Sequence, residues 1–321
     1  MATIPGGIFD QGGLDPAALA AIDALLSQQG LSESDFEPTE GGFEPVSSPY
    51  VFLVGDGDGA IIGGSEDNIF VANGGDNFLA SGAGDDNLFA GDGNDIVEAG
   101  SGDDSAYGGD GGDIVLGGSG NDYALGGSGT DFVDGNQGND DVNGNQGNDV
   151  VSGGQGDDTV HGGQGDDIAL GGQGDDSVSG DLGDDVVLGA TGNDTIAGGD
   201  GADTAFGGQG DDVVEGGAGN DVLSGDRGND SLSGGEGDDV FVVNSNGGAD
   251  VIVDFATGDV LQIQGGINGL EISNPSDLLS LITSDSLGNA VINLGDGASV
   301  TLLNLSEADL KARIDSVVVI V

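Results

Sequence analysis

Gly153-Gly154-Gln155-Gly156-Asp157-Asp158-Thr159-Val160-His161 is one turn of a pattern that decides the fold. The nine-residue template, GGxGxDxUx with U a large apolar residue, recurs without losing step from Gly91 to about Val243. Position 6 is Asp at Asp86, Asp95, Asp104, Asp113, Asp122, Asp131, Asp140, Asp149, Asp158, Asp167, Asp176, Asp185, Asp194, Asp203, Asp212, Asp221, Asp230 and Asp239. Position 4 is Gly at every repeat from Gly75 to Gly237. A fixed short period with Gly, Asp and one apolar residue in fixed slots is the signature of a solenoid.

Working outward from one unit, the Gly residues at positions 1, 2 and 4 permit positive φ and close backbone approach, so positions 1–6 are expected to form a turn. Positions 7–9 remain for a strand. Side chains alternate across a strand, so position 8 points inward: Val97, Ala106, Val115, Ala124, Val133, Val142, Val151, Val160, Ala169, Val178, Val187, Ile196, Ala205, Val214, Leu223 and Leu232. Two turns and two strands make a coil of 18 residues, which stacks Asp158 between Asp140 and Asp176. At strand spacing, about 4.8 Å, some ten coils make a rod on the order of 50 Å long.

The composition narrows what such a rod can be. The chain has 321 residues, 70 of them Gly, with 59 acidic residues against 3 basic ones, a formal charge of -56. So large a charge of one sign pushes a compact state apart, and acidity without periodicity would signify disorder. Here the strict register argues for a fold, and the missing counter-charge argues for bound cations. Stacked Asp carboxylates and freed turn carbonyls are hard oxygen donors, which suit Ca²⁺ with its six or more flexible ligands; Mg²⁺ demands a tighter octahedron. Soft metals want Cys or several His, and the chain has no Cys and one His. The alternative for the Asp column is a hydrogen-bonded turn residue without metal. The acidity also disfavours nucleic acid and anionic membranes as partners. No apolar run reaches the length of a membrane span, and Met1–Gly13 has no basic n-region or apolar h-region of a cleaved leader.

Along the chain, residues 1–49 read as a short helix and an acidic linker, with Asp15 as N-cap, Pro16 at the first helical position and Gly30 at the stop. Residues 50–81 keep the register but carry Gly59, Asn68 and Asn77 at position 6 and more apolar residues, as a terminal cap would. Residues 82–243 are the regular array. In 244–321, strands are expected over 249–255 and 259–263, a helix from Asn274-Pro275 to about Ile282, a hairpin over 289–303, a last turn capped by Ser306 with Asp309, and a terminal strand over 315–321.

The array resembles the RTX (repeats-in-toxin) family of calcium-binding nonapeptide repeats, closely over 82–243 and loosely over 55–81. The resemblance implies an all-β parallel β-roll in which each position-6 Asp bridges Ca²⁺ with the Asp two repeats on and with loop carbonyls, roughly one ion per repeat. That role carries over to Asp86 and every ninth Asp through Asp239 and not to Gly59; Asn68 and Asn77 depart from it. Loops with Asn136, Asn145, Asp181, Ala190 or Asp226 at position 2 are expected to bind more weakly. Asp250-Val251-Ile252-Val253-Asp254-Phe255 and the apolar terminus resemble the C-terminal cap and type I secretion signal of such proteins, which implies export from a Gram-negative-type cell through that machinery, followed by folding outside in Ca²⁺.

Position 7 separates the two sheets. One reads Ile96, Ile114, Phe132, Val150, Ile168, Val186, Thr204, Val222, Val240; the other reads Ser105, Tyr123, Asp141, Thr159, Ser177, Thr195, Val213, Ser231. Leu116, Leu170, Leu188 and Phe206 at position 9 widen the first stripe. Strand propensity alone accounts for Val and Ile but not for their confinement to one sheet, so a contact face is expected. Its partner is the N-terminal helix, the C-terminal region or another copy, giving a homo-oligomer or filament. His161 reads as a lone surface residue, and Gln137, Gln146, Gln155, Gln164 and Gln173 as solvated loop tips.

Three functions compete. The first is a secreted, calcium-folded structural or assembly protein without catalysis. The second is the accessory part of a secreted enzyme or toxin; only about 50 residues precede the repeats, and HExxH and GxSxG are absent. The third is ice binding through Thr ladders, for which position 3 offers only Thr191.

Overall fold

The computed structural model describes residues 51–53, 57–245 and 247–321. The helix and linker expected in residues 1–49 lie outside them. The chain winds as a parallel β-solenoid whose two sheets take alternate strands. Odd-numbered strands, from β1 (Val51–Leu53) to β21 (Ser231–Glu236), form one sheet, here sheet A. Even-numbered strands, from β2 (Ala60–Ile62) to β22 (Val240–Val243), form sheet B. Each array strand pairs in parallel with the strand one coil away, 18 residues on: Val150 lies beside Ile168, and Thr159 beside Ser177.

The strands are longer than the three residues expected. β12 (Val150–Gln155) and β13 (Thr159–Gln164) are each six residues, running through positions 7–9 and on through positions 1–3. The turn proper is positions 4–6. The Gly pairs at positions 1 and 2, read as turn signals, instead continue the ladder, since Gly154 pairs with Gly172 and Gln155 with Gln173. Position 1 faces the interior beside position 8. Position 2 takes a left-handed conformation, with Asn136, Asn145, Asp181, Ala190 and Asp226 at φ 64 to 82°. Asn and Asp tolerate that region.

The inward column is as expected: every residue from Val97 to Leu232 at position 8 is buried. The core is thin along the array and thicker at its ends. Phe70, Leu79 and Leu88 fill the first coils, and Phe241, Ile252, Leu261 and Ile263 the last, all essentially inaccessible.

Beyond Val243 the solenoid continues where the period was expected to break. β23 (Ala249–Ile252) joins β21 and β24 (Val260–Ile263) joins β22, each in parallel but offset by 20 residues, so Ser231 faces Val251 and Val240 faces Val260. Two inserted residues hide the register from a nine-residue count. Sheet A then closes with β27 (Ala298–Ser306), β26 (Asn289–Gly295) and β25 (Ile282–Ser284), the last two antiparallel. The hairpin turns on Asp296 and Gly297, both at positive φ. Pro275–Ser280 is a 3-10 helix. Ser306 caps not a single turn but an 11-residue helix, α1 (Glu307–Val317), its hydroxyl accepting from the Asp309 N–H. Leu310, Ile314 and Val317 bury one face of α1, which leaves only Val318–Ile320 as the terminal strand β28. Among the described residues, no helix is long and apolar enough to cross a membrane.

Candidate metal centre

Every position-6 Asp from Asp86 to Asp239 is buried, none more than 3% exposed. The 18-residue coil brings them into two columns, one per row of turns. One carboxylate oxygen of each is satisfied by the main chain of the preceding coil. The Asp140 N–H donates to Asp158 Oδ1 at 2.8 Å, and the Asp158 N–H donates to Asp176 Oδ1 at 2.9 Å. The same bond recurs down both columns. The Asp is thus a rung of the fold before it is a ligand, and the metal-free reading of the column describes half of its bonding.

The other half is unanswered. Oδ2 of every position-6 Asp from Asp86 to Asp230 is inaccessible and has no hydrogen-bond partner. Buried polar atoms are nearly always paired, and a buried charge without a partner is costly. The same orphan in each repeat from Asp86 to Asp230 marks a row of acceptors that lack a partner within the chain. Its surroundings are oxygen too: a Cβ built on Gly108 would stand 2.5 Å from Asp113 Oδ2 and 2.5 Å from the carbonyl oxygen of Gly126 in the next coil. Position 1 must be small for these oxygens to approach. Among the described residues, no three His, Cys, Asp or Glu side chains gather at one point, so a cation here draws its remaining ligands from main-chain carbonyls. A donor set of carboxylate and carbonyl oxygens suits Ca²⁺. Loops with a substituted position 2 show the same bonding, Asp140 and Asp149 included.

Desolvation raises these carboxyls, the neighbouring charges add to the rise, and the N–H of the preceding coil opposes it. Asp122, Asp149 and Asp176 are pushed up to about 6, and Asp104, Asp113, Asp140, Asp185 and Asp212 to about 7. Without a cation the roll therefore holds protons more tightly than the unfolded chain, whose Asp titrates near 3.8. The contribution of the protonated ladder is fully present below about pH 4 and is lost as pH rises through 6 to 7. In chelator, the β signal in far-UV circular dichroism is expected to be absent at about pH 8 and to grow on acidification toward about pH 4. A chelated protein equally unfolded at both pH values would contradict this.

A second ladder went unread in the sequence. At position 5, Asp and Asn side chains accept from the N–H of position 5 in the following coil: Asp175 N–H donates to Asp157 Oδ1 at 3.0 Å, and Asp184 N–H to Asp166 Oδ1 at 3.1 Å. Its polarity is opposite to that of position 6, so each turn is laced to both neighbours. These side chains are exposed and need no cation. The legible signal was the frequency of Asp and Asn at position 5. The ladder of position 6 also runs past Asp239, because Asp250 accepts from Asp230 and Asp259 from Asp239. His161 is not alone: its Nδ1 lies 3.0 Å from Asp181 Oδ2, in an exposed pair of little energetic weight.

The model of the RTX calcium-binding nonapeptide repeat matches eleven stretches of the sequence, from 54–88 to 215–252. Together they span more than half of the chain. The chain belongs to this family. Its nonapeptides are therefore calcium-binding RTX repeats, and the orphaned Oδ2 column is what such a cation would meet. No curated protein matches the sequence. Among solved structures, the RTX roll is similar to the crystal structure of the extracellular lipase LipA from Serratia marcescens, at 20% identity and a TM-score of 0.34 over 65% of this chain. The chain spans 40% of the length of that structure.

Proposed function

We propose that this RTX protein is a secreted, non-catalytic rod that folds on calcium and assembles with copies of itself through sheet B. Asp86 and every ninth Asp through Asp239 hold the ions, roughly one per repeat, each carboxylate contributing Oδ2 while Oδ1 keeps its backbone bond. Folding then awaits calcium, since binding free energy becomes folding free energy. Calcium is scarce inside a cell and abundant outside, so the chain stays threadable for a type I secretion channel of a Gram-negative-type cell and folds after export. Residues 244–321 serve as cap and export signal.

The observation that carries the assembly reading is the face of sheet B. Ile96, Ile114, Phe132, Ile168 and Val186 are 36 to 41% exposed on consecutive or near-consecutive even strands. Sheet A exposes only Tyr123 and Val213 in the corresponding column. The apolar column holds no acid, whereas the turns on either side carry most of the charge. The C-terminal region, one of the expected covers, leaves these residues exposed. A continuous apolar stripe is larger than monomers usually show. In a variant with Ile114, Val150 and Val186 replaced by Thr, the calcium-loaded protein is expected to sediment as a monomer where the parent sediments as an assembly. Identical sedimentation of the two would overturn the reading.

A further inference from the structure

Position 6 is Asn in only two repeats, Asn68 and Asn77, and both side chains are buried, at 1% and 4% exposure. Their main chain joins the ladder as any Asp turn does: each N–H donates, at 2.6 Å, to Oδ1 of Asp86 and Asp95 respectively. Their side chains do what no Asp can. Asn77 Nδ2 donates to the Gly75 carbonyl at 2.7 Å, and Asn68 Nδ2 donates to the Glu66 carbonyl. Both acceptors are position 4 of the same turn, so the contact is repeated. In an Asp turn both terminal atoms of the side chain are acceptors, and an acceptor facing acceptors needs a cation between them. The amide supplies donor hydrogens from within. It is also neutral, so it adds no repulsion against the next carboxylate. One cost remains, since Oδ1 of each Asn is buried without a partner, but an uncharged oxygen is cheaper to leave bare than a carboxylate.

A further feature sets this end apart: the core there is Phe70, Leu79 and Leu88, where most of the array has Val or Ala. The other end closes by the same logic with different atoms. Asp259 takes its place in the ladder, but its Oδ2 accepts from the Ala256 N–H at 2.6 Å and so is not orphaned.

We infer that the calcium column is bounded within the chain: the turns of Asn68 and Asn77 take no cation, their side-chain amides standing in for it, and this coil keeps its structure at calcium levels at which the Asp turns have opened. The inference rests on calcium binding by the Asp turns. Its test uses the full chain, with Asn77→Asp and Asn77→Ala, and reads bound calcium per chain together with hydrogen exchange along a calcium titration. In the parent, the strand Phe78–Ala83 is expected to stay protected below the calcium concentration at which Thr159–Gln164 opens. Asn77→Asp should bind one more ion per chain and bring Phe78–Ala83 into the calcium range of the array. Asn77→Ala should leave the ion count unchanged and speed exchange in that turn about tenfold. The inference is overturned if Phe78–Ala83 and Thr159–Gln164 open together in the parent, or if Asn77→Asp leaves the ion count unchanged. Exchange of Thr159–Gln164 that ignores calcium altogether would instead bring down the calcium reading beneath it.

Discussion

Chelation at neutral pH is expected to remove most of the β signal of this protein, and calcium to restore it. The reason is the size of the unanswered electrostatic term. Neighbouring carboxylates in one column sit about one strand spacing apart, and at an effective dielectric of about 20 two such charges repel by about 3 kcal/mol. Several such pairs per column exceed the whole stability of an ordinary domain, roughly 5–15 kcal/mol. The thin column of Val and Ala has little with which to oppose them. Calcium reverses the sign: at about ten times its dissociation constant each site contributes about 1.4 kcal/mol, and the sites add along the rod. The transition should be steep in calcium, because opening one turn removes the N–H partner of the next Asp. A circular dichroism spectrum unchanged by excess chelator at neutral pH would contradict this.

The second large effect is steric. Gly147, at position 4, has φ 139°, and a Cβ built on it would fall on the carbonyl oxygen of Gly129 one coil away. The same collision recurs at each array Gly in this slot, for example Gly156 against Gly138. Backbone cannot yield as a side chain can, so Gly147→Ala should cost at least about 4 kcal/mol. Position 2 provides the comparison. A Cβ on Gly154, at φ 111°, would also press on backbone, the Asn136 carbonyl one coil away, but less deeply, and Asn136 itself occupies this slot at φ 72°. Gly154→Asn should therefore cost less than Gly147→Ala. Calcium titration midpoints for the two variants would separate these cases; equal midpoints would show that close backbone stacking does not limit the fold.

Much of this was legible in the sequence because the period is exposed by single residue types. Asp at position 6 and Val or Ala at position 8 gave the 18-residue coil, the stacking of Asp158 between Asp140 and Asp176, and the difference between the two sheets. What escaped had physical causes. Gly at positions 1 and 2 reads as a turn, yet Gly154 pairs with Gly172, since a residue without Cβ can also extend a ladder where two backbones come close. Asp250 and Asp259 were hidden by a two-residue insertion. Helix α1 was masked by the β-branched run that follows it, although Leu310, Ile314 and Val317 have helical spacing. Which carboxylate oxygen is bonded and which is bare is a matter of backbone direction, and no residue pattern encodes it.

On the proposed function, calcium fills the bare Oδ2 columns. Equilibrium dialysis of the full chain at neutral pH, with bound calcium counted per molecule, tests it most directly. On the order of one ion is expected for each position-6 Asp, the ions being lost together as pH falls below about 6 and the ladder takes up protons. A count of one or two ions, or none, would contradict it.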